Sequence, residues 1–150
     1  MQVVVLNGVN LNALADRDPA LYGGIAYPEL ETRIYQWARE LGCSVRCFQT
    51  NNEGEYIDLC HEARRWADAA IVNPGAWTHY SYAIRDALEL VAVPVVEVHL
   101  SDITEREEWR RASVIEDVVS HRVIGKGPDG YREALVFLTE KGKAPREPAD

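Results

Sequence analysis

The sequence contains few cysteines, and their spacing indicates neither a cross-link nor a metal site. Cys43, Cys47 and Cys60 are an odd set without a C-x-x-C pair. Disulfide frameworks and thiolate metal sites both fit such a set poorly. Cys47 falls in a strand-like segment, and Cys60 on the inner face of a predicted helix. We therefore expect reduced core cysteines, as in a cytoplasmic protein.

Long hydrophobic runs and a basic leader are also missing. No apolar run approaches the roughly 20 residues that a membrane span needs. The N-terminal stretch MQVVVLNG has no basic leader, and its apolar run is too short for a signal peptide. We expect no membrane contact and predict a first strand that begins at residue 2.

Basic residues are outnumbered by acidic ones, 16 against 24, which gives a formal charge of −8. This balance argues against nucleic-acid binding, which depends on basic patches that neutralise phosphates. A small anionic substrate still fits, because a few arginines can set the potential inside a cleft.

Motifs for phosphates and metals are absent. There is no G-x-x-x-x-G-K-[ST], and Gly125-Lys126-Gly127 lacks the spacing of a dinucleotide loop. No H-E-x-x-H occurs, and His79 and His99 have no carboxylate at ligand spacing. We predict neither a metal nor a cofactor, and we expect His61 and His121 at the surface.

The sequence does contain a regular alternation of strand-like and helical segments. Its 150 residues, 47% of them hydrophobic, suit one domain over 1–150, with a frayed polar tail from about 141. Short apolar runs predict strands at 2–6, 44–49, 69–73, 95–98 and 122–124. Capping signals predict helices within 28–41, 53–66, 78–91, 104–111 and 130–140, with Thr78 and Thr104 as N-caps.

This alternation predicts the α/β class, with a five-stranded parallel sheet and helices on both faces. For five strands we expect the flavodoxin-like order. In such folds ligands bind at the carboxyl ends of the strands. The chemistry is therefore expected at that edge of the sheet.

Residues 7–27 form an unusually long connection, which is typical of a mobile lid. This segment contains Arg17 and Tyr22. A free tyrosine has a pKa of about 10, and a nearby cation can lower a pKa by about 1–3 units. A tyrosine beside an arginine can thus serve as a general base. The alternative is a surface arginine with an aromatic anchor for the lid.

Three predicted strands end in polar residues that can meet in one crevice. These residues are Asn7 and Asn10, then Asn73 and His79, and then Glu97, His99 and Ser101. Each of them alone is more typical of a turn or a cap. Arg106 and Arg110 lie four apart on a predicted helix and so share a face, where Arg106 can point into the crevice beside His99. The alternative is a solvated, charge-paired helix.

Four blocks of the sequence together resemble the type II 3-dehydroquinate dehydratases. They are LNGVNLN at 6–12 with RDP at 17–19 and Tyr22-Gly23; QTNNEGE at 49–55; NPGAWTHYS at 73–81 with IRDA at 84–87; and EVHLS at 97–101 with REEWR at 106–110. The resemblance covers about residues 2–140. It implies an enzyme of the shikimate pathway or of quinate catabolism that dehydrates 3-dehydroquinate through an enolate, by anti elimination and without a cofactor. No lysine lies in these blocks, which fits a route without a Schiff base.

The resemblance also implies residue roles. Tyr22 is the base, and Arg17 is the lid cation beside it. His99 is the acid, and Glu97 orients it. The remaining catalytic residues are Asn10, which holds a water against the enolate oxygen, and Arg106, which lies near the tyrosine.

The same resemblance implies the substrate contacts and the assembly. Asn73 and the backbone of Leu100 and Ser101 bind the carboxylate, while His79 and Arg110 hold ring hydroxyls. Asp86 reaches the site of a neighbouring subunit in trimers that are arranged as dodecamers.

Some positions depart from the family pattern. Asp102 stands where asparagine is common. Segment 113–127 differs most, with Arg122 among several charged residues that replace mainly neutral ones. These departures leave open a related lyase that acts on another cyclic polyhydroxy keto acid. A non-catalytic flavodoxin-like module is the alternative from a different class.

Overall fold

The computed structural model describes residues 1–143 as one parallel sheet covered by helices. The strands are β1 (Gln2–Asn7), β2 (Ser44–Gln49), β3 (Ala69–Asn73), β4 (Val95–His99) and β5 (His121–Ile124). Their order in the sheet is β2-β1-β3-β4-β5, and every pairing is parallel. This is the flavodoxin-like order, so the predicted fold class is confirmed.

The central strands are continuous apolar runs because helices cover both faces of the sheet. In β1, Val3 and Val5 pack into one core cluster, and Val4 and Leu6 pack into the other. Side chains of successive strand residues point to opposite faces, so one strand supplies both cores. All four side chains are at most 1% exposed.

The helices are α1 (Pro19–Tyr22), α2 (Tyr27–Glu40), α3 (Glu53–Ala63), α4 (Tyr82–Val91), α5 (Glu108–Arg111) and α6 (Asp129–Lys143). Pro28 lies in the first turn of α2, and Gly42 follows its end with a φ of 72°, so the helix predicted within 28–41 is displaced by only one residue at each end. The predicted tail lies outside the described residues except for 141–143, which continue α6. None of the helices within 1–143 is long and apolar enough to cross a membrane.

Two predicted caps are wrong. Thr78 lies inside a short 3₁₀ helix, Gly75–His79, and Ser81 caps α4 by accepting a hydrogen bond from the backbone N–H of Ile84 at 3.1 Å. Thr104 does not cap a helix either. Asp102 caps the 3₁₀ turn Ile103–Glu105, because its carboxylate accepts from the Thr104 N–H at 3.0 Å. In both places a nearer polar side chain takes the cap position.

The connection between β1 and α2 has structure of its own. It contains a 3₁₀ helix, Leu11–Asp16, and the single turn α1, which Asp18 caps through the Ala20 N–H at 2.9 Å. Leu11 and Leu14 are buried in the core cluster that also contains Val3 and Val5 of β1. These helices are too short to show a periodic pattern, which is why the sequence suggested an unstructured segment. Its mobility stays a prediction.

Candidate active site

A cavity lies at the carboxyl ends of β1, β3 and β4, and the connection between β1 and α2 forms its opposite wall. Ten of the residues that the sequence singled out line it. They are Asn10, Arg17, Tyr22, Asn73, His79, His99, Leu100, Ser101, Arg106 and Arg110. Glu97 lies behind His99 and is fully buried. Asp86 is exposed on α4 and does not line the cavity.

Two glycines allow the ends of β1 and β3 to approach each other at the cavity. A Cβ atom on Gly8 would lie 2.5 Å from the Pro74 carbonyl oxygen. A Cβ atom on Gly75 would lie 2.7 Å from the Val9 carbonyl oxygen, and Gly75 has a φ of 64°. No larger residue fits at either position without displacing the backbone. The glycines therefore set the distance between the two strand ends.

Tyr22 ends α1 and receives two cationic hydrogen bonds. Nη2 of Arg17 donates to the Tyr22 phenol oxygen, and Nη1 of Arg106 donates to the same oxygen at 2.5 Å. The Arg17 guanidinium also lies 4.2 Å from the centre of the Tyr22 ring. Both arginines reach the tyrosine from different sides of the cavity, since Arg17 precedes α1 and Arg106 follows β4.

Arg106 reaches the cavity by a route that the sequence did not predict. It lies in extended backbone between the 3₁₀ turn Ile103–Glu105 and α5, with a φ of −101° and a ψ of −168°. Arg110 lies inside α5. The two arginines therefore do not share a helix face, and that part of the prediction is wrong. Glu107 lies between them, with Oε2 3.6 Å from Nε of Arg106 and 3.1 Å from Nε of Arg110.

His99 and Glu97 are two residues apart on β4 and lie on the same face of the sheet. Nε2 of His99 is 2.7 Å from Oε1 of Glu97. Burial raises the pKa of Glu97, but the hydrogen bond and charge of His99, with Thr78 and Arg122, outweigh it and lower the pKa to about 2. An ionised carboxylate only accepts hydrogen bonds. Nε2 of His99 therefore carries a proton whether the ring is neutral or protonated, and Nδ1 is left to face a ligand.

His79 has a fixed tautomer as well. Its Nδ1 donates to the backbone carbonyl of Ala112 at 2.7 Å. Burial lowers the pKa of His79, the Ala112 carbonyl raises it, and electrostatic repulsion from Arg110 and His99 lowers it further. The ring is thus neutral near pH 7 and presents Nε2 as an acceptor.

Asn73 ends β3 and is held by a neutral hydrogen-bond network. Its Nδ2 donates to the Tyr131 hydroxyl at 2.9 Å, and its Oδ1 accepts from the Gly75 N–H at 3.2 Å. The Tyr131 hydroxyl donates to Oδ1 of Asn7 at 2.6 Å. Burial raises the pKa of Tyr131, so its proton stays on the hydroxyl. The amide of Asn73 is therefore fixed in orientation.

Asn10 and Ser101 line the cavity from the first and fourth strand ends. Asn10 adopts a left-handed conformation with a φ of 67°, and its N–H donates to the Asn51 side chain at 2.8 Å. Ser101 is 5% exposed, and its hydroxyl accepts from Nη1 of Arg106 at 3.3 Å. Asp102 directs its carboxylate to Thr104 and does not line the cavity.

The charged side chains that line the cavity are opposite in sign to the net charge of the chain. The chain has a formal charge of −8, but the described residues that line the cavity include three arginines and no carboxylate. Local arginines dominate the potential within a cleft. The cavity is therefore suited to a small anion. Within 1–143, no cluster of three or more His, Cys, Asp or Glu side chains could hold a metal ion.

Sequence reasoning missed the residues that surround Glu97 and Asn73 from other segments. Thr78, Ser113 and Arg122 all bond to Glu97, and Tyr131 bonds to Asn73. The sequence marked Arg122 as a departure from the family pattern, but it did not predict the contact with Glu97. His61 is exposed as predicted, whereas His121 is half-buried against Phe137.

Comparisons with known proteins agree over nearly the whole chain. A profile described as Dehydroquinase class II matches residues 1–139. A protein of Pelotomaculum thermopropionicum, named 3-dehydroquinate dehydratase, is 47% identical over 135 residues, 90% of this chain and 94% of that protein. The crystal structure of a type II dehydroquinase from Butyrivibrio crossotus has a TM-score of 0.89 at 43% identity and covers 92% of this chain and 97% of that one. One from Propionibacterium acnes has a TM-score of 0.90 at 40% identity, with coverages of 93% and 96%.

Proposed function

Because the chain belongs to the Dehydroquinase class II family, we propose that it is a hydro-lyase that dehydrates 3-dehydroquinate to 3-dehydroshikimate. One observation carries the proposal most directly. The Tyr22 oxygen accepts hydrogen bonds from two guanidinium groups in the cavity that His99 also lines. This arrangement supplies a base and an acid from two different walls. A binding module has no need of it.

Tyr22 takes the proton from the carbon beside the ketone. A phenolate accepts hydrogen bonds but cannot donate them, so the two donors Arg17 and Arg106 match the ionised form of the base. The C–H electron pair moves onto the carbonyl oxygen and forms an enolate. A water held by Asn10 donates to that oxygen, where negative charge develops in the transition state.

His99 completes the elimination as the general acid. The enolate electrons re-form the ketone and make the new C=C bond while the β C–O bond breaks. Nδ1 of a protonated His99 gives its proton to the departing hydroxyl, which leaves as water. Tyr22 then holds the proton taken from carbon, and His99 has lost one. Loss of the Tyr22 proton to solvent and uptake of a proton from solvent by His99 reset the site. Because base and acid belong to different walls, they act on opposite faces of the ring, which is an anti elimination.

A lysine is not required for this route. The leaving group is β to the ketone, so the enolate forms without a Schiff base. No lysine is among the described residues that line the cavity. The elimination is also redox-neutral, so it needs no redox cofactor. Borohydride treatment in the presence of substrate is expected to leave the protein mass and the activity unchanged, and an adduct on any lysine would contradict the enolate route.

The substrate carboxylate binds beside Asn73, with the backbone of Leu100 and Ser101. The amide of Asn73 offers its second N–H to this group, because the first is bonded to Tyr131. Nε2 of neutral His79 accepts from a ring hydroxyl, and the Arg110 guanidinium donates to another.

Assembly is part of the proposal. Asp86 is exposed on α4, which begins at the exposed Tyr82, two residues after the exposed Tyr80. A homo-oligomer built from trimers, with a dodecamer as the full assembly, would place Asp86 at the cavity of a neighbouring subunit. Light scattering tests the assembly, and Asp86→Ala tests the shared site. A fully active monomer would contradict both.

The deciding experiment is direct. Purified protein is incubated with 3-dehydroquinate, and the enone absorbance of the product is followed. Tyr22→Phe is the matched control, since it removes only the phenol oxygen. We expect kcat to fall by about 10³-fold with folding and ligand binding intact. Wild-type protein that binds the substrate without forming the enone would overturn the proposal, and turnover of another cyclic keto acid would then favour a related lyase.

A further inference from the structure

We propose that Arg122 is a positioning residue of this active site, which acts on His99 through the carboxylate of Glu97. This inference rests on the proposed dehydration, because it assigns Arg122 to the same site. It concerns the segment of the chain that departs most from the family pattern.

The sheet register brings Arg122 to Glu97. β4 and β5 are parallel neighbours, and Arg122 is the Cα partner of Glu97 in their register. Residues paired in this way point to the same face of a sheet. Nε of Arg122 donates to Oε2 of Glu97 at 2.8 Å. The contact follows from the strand pairing and does not depend on a flexible loop.

Arg122 and His99 bond to different oxygens of the same carboxylate. Oε1 accepts from Nε2 of His99 at 2.7 Å and from the Thr78 hydroxyl at 2.6 Å. Oε2 accepts from Arg122. The Ser113 hydroxyl lies 2.9 Å from Oε1 and 3.1 Å from Oε2. With both oxygens occupied, the carboxylate cannot rotate, and it holds the His99 ring in one orientation.

The charge of Arg122 is needed because Glu97 is fully buried. A buried carboxylate without a cation is costly and tends to take up a proton. A protonated Glu97 could donate to His99 instead of accepting from it, which would exchange the ring tautomer. Arg122 thus fixes the acceptor state of Glu97 as well as its position.

Arg122 acts at a distance from the substrate. It is not among the residues that line the cavity. Its Nη1 extends outward to Glu116, at 3.0 Å, and the Glu116 side chain is 62% exposed. Glu116 therefore provides a control, since loss of its carboxylate removes the exposed partner of Arg122 and leaves the contact with Glu97 in place.

The test is the steady-state kinetics of Arg122→Met, a variant that keeps the apolar part of the side chain and removes the guanidinium group. We expect kcat to fall by about tenfold and KM to change less than about twofold, because orientation of the acid is lost but substrate contacts remain. Arg122→Lys retains the charge and should recover part of the loss. Glu116→Gln should stay within about twofold of wild type, since an exposed ion pair contributes little.

A double-mutant cycle shows whether Arg122 acts through Glu97. In a Glu97→Gln background, assayed at high enzyme concentration, Arg122→Met should change kcat by less than about twofold. An equal loss in both backgrounds would overturn the inference. So would an unchanged kcat with a lowered Tm, which is the result of a purely structural role. If Arg122→Met does not fold, Arg122→Lys replaces it in the same cycle.

A second readout does not depend on turnover. Long-range ¹H–¹⁵N NMR of the His99 ring reports which nitrogen carries the proton. When the ring is neutral, wild type should show the Nε2–H form, and Arg122→Met should show a mixture of tautomers. A wild-type protein that fails to dehydrate 3-dehydroquinate would count against the proposed function alone. An unchanged His99 spectrum in Arg122→Met would count against the role of Arg122.

Discussion

Two hydrogen-bond networks support the cavity, and they differ in charge. On β4 and β5, Glu97 is ionised and bonds to His99 and Arg122. On β1 and β3, Asn73 bonds to Tyr131 and through it to Asn7, and all three groups are neutral. Both networks join strand ends to a more distant segment. The first fixes the position of a proton, and the second fixes the orientation of an amide.

This difference predicts different sensitivities. Interactions of a buried charge are strong, and the loss of one partner leaves the other charge uncompensated. A neutral hydrogen bond contributes only about 1 kcal/mol, because water competes for both partners in the unfolded chain. Changes in the charged network should therefore affect catalysis and acid stability. Changes in the neutral network should affect substrate affinity, and their effects should be smaller than those of changes in the charged network.

The largest expected effect is that of Glu97→Gln. A glutamine presents an amide N–H₂ to His99 or to Arg122, so one of these two donors faces another donor. We expect kcat to fall by about 10³-fold, roughly 4 kcal/mol, with little change in KM. Steady-state kinetics measures both values. A larger change in KM than in kcat would place Glu97 in substrate binding and would remove the contrast between the networks.

Acid stability provides the second test. The folded pKa of Glu97, about 2, is below its ordinary value of 4.5. The ionised carboxylate therefore stabilises the fold above pH 4.5, and this contribution is lost as pH falls from 4.5 towards 2. It amounts to roughly 3 kcal/mol. Urea unfolding of wild type should become easier across this window.

Glu97→Gln is the control for the acid test, because glutamine does not titrate. Its free energy of unfolding should be lower at pH 7 but should fall less than that of wild type between pH 4.5 and 2. Parallel curves for the two proteins would mean that other carboxylates cause the acid sensitivity.

The fold was predictable because its signals are local. The strands β1, β3 and β4 are apolar runs, and Gly42 and Pro74 lie within two residues of the ends of α2 and β3. The polar strand ends could be assigned to one crevice because parallel strands share a carboxyl edge. The roles of Tyr22 and His99 came from the family resemblance and not from spacing.

The supporting residues could not be predicted, because their contacts join distant segments. The contact of Tyr131 with Asn73 depends on how α6 packs against the sheet, and the contact of Arg122 with Glu97 depends on the β4–β5 register. Ser81 caps α4 in place of Thr78 because the chain after β3 first makes a 3₁₀ turn. No local sequence pattern predicted this turn. The missed residues are those whose partners lie far away in the sequence.

Tyr131→Phe tests the neutral network. It removes the hydroxyl that accepts from Asn73 and donates to Asn7, in a side chain that is fully buried. We expect the free energy of unfolding to fall by about 1 kcal/mol. KM should rise about fivefold while kcat changes less than about threefold, because the Asn73 amide can then turn away from the substrate carboxylate. A loss confined to kcat would contradict the assignment of this network to binding.

The smallest effect is expected at the outer end of the same network. The Tyr27 hydroxyl is 3.5 Å from Nδ2 of Asn7, a longer contact than either bond of Tyr131. Tyr27 is also only partly buried, so water can replace its hydroxyl. Tyr27→Phe should therefore change the free energy of unfolding by less than about 0.5 kcal/mol and leave KM within about twofold. Kinetics and urea unfolding, measured beside Tyr131→Phe, give the comparison. If Tyr27→Phe raised KM as much as Tyr131→Phe does, Asn7 would depend on Tyr27 for its orientation, and the network would act as one unit from α2 to Asn73.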